Sequence, residues 1–171
     1  RRQRQMCIRD RTRTYDCSPT LNDTDVFNFC KTGYLMLESV VDDAINRQTT
    51  DYIDKNGHHS LLNEDWFIEA VFHNPQAAGA VRSLLGANFA LPIKLPNHRV
   101  KCPMESQSWH RDGGSRYGPA VNHLQVFYYP QDTPPEMGPT EVLPGSHFFF
   151  SLQSWMGHYG TIRGAELTAA P

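Results

Sequence analysis

Prolines at 92, 96, 103, 119, 130, 134 and 135 cut the second half of this chain into runs too short for ordinary helices. A proline ring clashes with the preceding helical turn and offers no N–H, so it stops helices and tolerates sheets only at edges, starts or bulges. From Asn88 onward, residues 89–94, 99–104, 106–112 and 122–129 therefore read as short strands. Many short strands with turn signals between them predict a sandwich or barrel.

The first half has a different texture. Asn22 to Asp25 can cap a short helix bearing Val26, Phe27 and Phe29, which Gly33 ends, and residues 34–37 follow as a brief strand. Residues 42–53 predict a second helix, with Asp42 and Asp43 in the first turn, where the helix dipole favours acids. Residues 57–60 read as a loop. Asn63 is expected to cap a helix over 64–72, pairing Phe67 with Val71 and Ile68 with Phe72 at i, i+4. Pro75 opens another, with Ala77, Val81, Leu84 and Leu85 in one apolar stripe that Gly86 closes. The fold class expected is α+β: N-terminal helices packed on one sheet of the sandwich or barrel.

The chemistry concentrates in Trp109-His110-Arg111-Asp112-Gly113-Gly114. On a strand, residues i and i+2 share a face, so the His110 imidazole and the Asp112 carboxylate can point into one cavity while Arg111 points away. One further histidine would make two imidazoles and a carboxylate on one face of an octahedron, the arrangement of non-haem Fe(II) oxygenases. His-x-Asp alone also occurs on solvated loops, so the motif needs its context.

Phe29-Cys30-Lys31-Thr32-Gly33-Tyr34-Leu35, the Trp109–Gly114 motif and Gly138-Pro139-Thr140-Glu141-Val142-Leu143-Pro144-Gly145-Ser146-His147 supply that context, in this order. Across residues 22–150 the chain resembles the phytanoyl-CoA dioxygenase-like family of Fe(II)/2-oxoglutarate-dependent oxygenases. The resemblance implies a cupin-like double-stranded β-helix, a jelly roll, in which His110 and Asp112 ligate iron, 2-oxoglutarate chelates it, and one position is left for dioxygen. The reaction implied is hydroxylation of a small organic molecule, coupled to decarboxylation of 2-oxoglutarate to succinate. Because Asp112 is present, hydroxylation is expected over the halogenation of relatives that lack this carboxylate. Asn97 and Gln125 are candidate amides for 2-oxoglutarate; Trp109, Arg116 and Tyr117 are candidates for the substrate mouth.

Relatives place the second histidine, followed by an arginine for the far carboxylate of 2-oxoglutarate, some tens of residues after the Pro-Gly-Ser-His turn. His158 and Arg163 are the late candidates, but His158 follows His147 by eleven residues, too few for the chain to cross a sheet and return. The third ligand is expected beyond Pro171, so that 14–171 is an incomplete domain and a poor catalyst by itself. His147 reads as a structural residue near the site, and His58, His59, His73 and His98 as surface residues.

Charge and cysteine usage set the remaining bounds. Arg1, Arg2, Arg4, Arg9, Arg11 and Arg13 against Asp10 make residues 1–13 strongly basic, although the whole chain carries −2. This segment is expected to be a leader foreign to the fold. Without it the chain is net acidic, which disfavours a polyanionic partner such as nucleic acid. Cys7, Cys17, Cys30 and Cys102 show neither C-x-x-C nor zinc-like spacing, so reduced thiols are expected. No apolar run approaches a membrane span, and a cytoplasmic protein with a small-molecule substrate is the expectation. A metal- or ligand-binding jelly roll without turnover, or an inactive gene fragment, is the alternative.

Overall fold

The computed structural model describes residues 17–87, 89 and 120–148, together with the backbone of 161–162 and 165–166. The helices are α1 (Asp23–Thr32), α2 (Asp43–Asn56), α3 (Asp65–Phe67) and α4 (Pro75–Leu85). A π-helical turn, Ile68–Phe72, continues α3, and 3-10 turns lie at Leu61–Asn63, Pro135–Met137 and Ser146–Phe148. Two short strands, β1 (Thr161–Ile162) and β2 (Ala165–Glu166), pair antiparallel, with Thr161 opposite Glu166. The described residues divide into two compact units: 17–21, 37–87, 89 and 124–131 in one; 22–36, 120–123, 132–148 and β1–β2 in the other.

The first unit is organised around Leu61, Phe67, Ala78 and Ala80, with Thr49 fully buried among them. The Phe67 ring meets those of Trp66, Phe72 and Tyr128 with centroids 5.7–5.9 Å apart, the edge-on and tilted geometries that aromatic quadrupoles favour. Asn74 caps α4: its Oδ1 accepts from the N–H groups of Gln76 and Ala77, at 3.0 and 3.2 Å, and its Nδ2 donates to Val40 O at 2.9 Å. Pro75 then occupies the first helical position, where its missing N–H costs nothing. Residues 18–21 lie along α4, where Ser83 Oγ accepts from Thr20 N and Leu21 N, and Thr20 N also reaches Gly79 O. The approach requires Gly79, since a Cβ there would collide with Thr20 Cγ2 and Ser18 O.

The second unit holds α1, which starts with a capping box: Asn22 Oδ1 accepts from Asp25 N at 2.9 Å, and Asp25 Oδ2 from Asn22 N at 3.2 Å. It ends at Gly33, left-handed at φ 87°. The bounds of α1 and α4 follow the expected caps and breakers closely, whereas α2 runs past its expected end at Ile53 to Asn56, where Gly57 stops it.

Other expectations are corrected. Asn63 does not cap a helix but ends the 3-10 turn, and α3 starts after Glu64. Nor does Glu64 cap it through its side chain, because that carboxylate accepts from Tyr52 Oη at 2.7 Å and Trp66 Nε1 at 3.2 Å. The i, i+4 pairs give way to an i, i+5 contact between Phe67 and Phe72, because the π turn widens the helix and His73 N bonds to Ile68 O. Residues 34–37 form no strand: Thr32 Oγ1 engages both Tyr34 N and Tyr34 O, the groups a ladder would need. Residues 122–129 also carry no ladder, although side chains alternate as in a strand, with Tyr128 turned towards α2 while Phe127 and Tyr129 stack on each other. Before the Pro144-Gly145 turn, Val142 forms a single bridge. The described residues are thus mostly helical; the strands expected at 99–104 and 106–112, and all but Phe89 of 89–94, lie outside them.

Candidate functional site

His110 and Asp112, the candidate iron ligands, lie outside the described residues, as do Asn97, Trp109, Arg116, Tyr117, His158 and Arg163. Gln125 is described: it is exposed, in the unladdered stretch, and shares the parity of Phe127 and Tyr129 rather than that of Tyr128. Among the described residues, no group of three or more His, Cys, Asp or Glu side chains could hold a metal. An imidazole and a carboxylate, the side chains of His110 and Asp112, are donor types that suit Fe(II) in chemistry.

Two flanking motifs meet directly. An α-helix leaves its last four carbonyls without intrahelical partners. In α1, Cys30 O receives His147 Nε2 at 2.9 Å and Thr32 O receives Gly145 N at 2.7 Å. A carbonyl can only accept, so Nε2 must carry the hydrogen. The imidazole lies where a Cβ on residue 33 would stand, with Nδ1, Cε1 and Cγ nearest. His147 thus makes a structural contact with the end of α1, and the iron motif it was expected to lie near is outside the described residues. The sequence gives Gly33 away as a helix stop but not its partner, 114 residues later.

Tyr128, which sequence reasoning did not single out, is a second polar anchor and is half-buried. Its hydroxyl donates to Asn46 Oδ1 at 2.7 Å and lies 3.4 Å from Thr49 Oγ1. Burial pushes the phenol above its ordinary pKa, against a smaller lowering by the Thr49 hydrogen bond, so it is a neutral donor at physiological pH. Asn46 Nδ2 in turn donates to Val41 O, which fixes the amide orientation.

The model of the family described as Phytanoyl-CoA dioxygenase (PhyH) matches residues 37–150, more than half of the chain. The chain belongs to this family. Phytanoyl-CoA dioxygenase relatives are generally cupin-like jelly rolls that use Fe(II) and 2-oxoglutarate, so an oxygenase-type function follows from membership. The matched span includes both His110-Arg111-Asp112 and the Pro-Gly-Ser-His turn, whereas α1 precedes it. No curated protein and no solved structure matches the chain. Among the described residues, no helix of this phytanoyl-CoA dioxygenase family member is long and apolar enough to cross a membrane.

Proposed function

We propose that the chain is part of an Fe(II)/2-oxoglutarate-dependent dioxygenase that hydroxylates a C–H bond of a small organic molecule. The observation that carries this reading is the family match spanning His110-Arg111-Asp112. With iron bound, the cosubstrate and dioxygen supply the oxidising equivalents: R–H, 2-oxoglutarate and O2 become R–OH, succinate and CO2. His110 would offer a neutral nitrogen and Asp112 an anionic oxygen to the metal. With the carboxylate in place no position is opened for a halide, which favours hydroxylation. The Asn97 and Gln125 amides are proposed to donate N–H groups to 2-oxoglutarate. The protein is proposed to act in the cytoplasm, without nucleic-acid or membrane partners.

The test is succinate release by the complete reading frame supplied with Fe(II) and 2-oxoglutarate, in air and anaerobically, beside His110→Ala. We expect oxygen-dependent succinate that falls at least about 100-fold in the variant, because losing a ligand costs more than losing an outer-shell partner. Iron binding without succinate, across a panel of small-molecule substrates, would favour a binding protein instead. Equal turnover by His110→Ala would sink the assignment.

A further inference from the structure

We infer that α1 and the Pro144–His147 turn form one interlock, with His147 as a side-chain cap of α1 and Gly33 as its socket. Residues 22–36, which precede the family match, are then a built-in part of the unit that contains this turn. Of the four carbonyls that close α1, Phe29 O is reached by Gly33 N at 2.7 Å, and Cys30 O and Thr32 O by donors from the turn. One of those donors is backbone and one is side chain, so the turn grips the helix end at two carbonyls, those of Cys30 and Thr32. The socket is specific in two independent ways. Gly33 has φ 87°, which L side chains rarely adopt, and any Cβ there would occupy the space of the imidazole. Compact clustering of the chain also groups 22–36 with 132–148 and not with α2, α3 and α4. The interlock joins Gly33 of the first motif to Gly145 and His147 of the third, and assigns to His147 a positioning role that needs no metal.

Hydrogen exchange of the intact chain, read over 22–36, tests the interlock. His147→Phe keeps a ring but removes the donor, His147→Gln keeps an N–H donor, and Gly33→Ala fills the socket while leaving His147 untouched. We expect exchange over residues 22–36 to quicken about fivefold in His147→Phe and in Gly33→Ala, the scale of one lost hydrogen bond. His147→Gln should stay near the wild type, and the Phe/Ala double variant should quicken exchange by clearly less than the product of the two single effects, since the variants share one contact and differ by the backbone strain at residue 33. Wild-type exchange in His147→Phe, or fully additive effects in the double variant, would overturn the interlock. Should Gly33→Ala fail to fold, the Phe and Gln variants decide alone.

Discussion

Tyr128 shows how one side chain ties a segment without a ladder to a helix. Its hydroxyl reaches Asn46 and its ring reaches Phe67, so Tyr128 ties residues 124–131 to α2 and to the aromatic cluster. Because burial raises its pKa in the folded chain, the fold holds this proton more tightly than the unfolded chain does. Its contribution is complete below the ordinary tyrosine value of about 10 and is lost as pH climbs through the raised value. Tyr128→Phe should cost about 1 kcal/mol at neutral pH and should flatten the fall in stability above about pH 10. Urea melts at the two pH values check both effects. Gly79 makes the opposite kind of demand. Alanine is the better helix former, yet its Cβ would meet Ser18 O, which cannot swing aside as a side chain can. We expect Gly79→Ala to destabilise by about 1–3 kcal/mol in a thermal melt, overpacking outweighing the propensity gain.

Among the elements, those with both a cap and a breaker in the sequence were legible. α1 runs between the Asn22 capping box and Gly33, and α4 between Asn74-Pro75 and Gly86, because the signals act on adjacent backbone groups. α3 was not legible. Its start depends on Glu64, whose carboxylate is drawn off by Tyr52 and Trp66, and its continuation widens into a π turn with Phe67 buried in the aromatic cluster. Both are tertiary effects that no local pattern encodes. The two asparagines make this measurable. Asn74→Ala should cost about 1–2 kcal/mol, because it removes the α4 cap and the bond to Val40 O, whereas Asn63→Ala should change stability by less than about 0.5 kcal/mol. Paired denaturant melts with equal slopes would check it, and similar losses in both would restore the cap to Asn63.

At the scale of the molecule, the order of helices before Pro-punctuated short segments was readable, and so was the family, through three motifs. The expected iron pair, His110 and Asp112, rests on the period of a strand, and both residues lie outside the described ones. The partnership of Gly33 with His147 was not visible, because it depends on a turn and a helix end meeting across most of the chain. The unladdered state of 122–129 escaped for the same reason: alternation marks which side chains share a face, whereas a ladder depends on a neighbouring edge.

The two compact units are interleaved along the sequence, 17–21, 37–87 and 124–131 alternating with 22–36, 120–123 and 132–148 among the described residues. No single scission of the polypeptide can release either one whole. A ribosome presents α2, α3 and α4 well before residues 124–131 emerge to complete their unit, and α1 waits longer still for the Gly145-Ser146-His147 turn. The chain therefore assembles through loop closures of high sequence separation, which slow folding and lengthen the exposure of side chains that the fold buries, such as Phe67 and Leu61. Low temperature and chaperone supply during expression, rather than trimming into smaller pieces, are the conditions this arrangement favours.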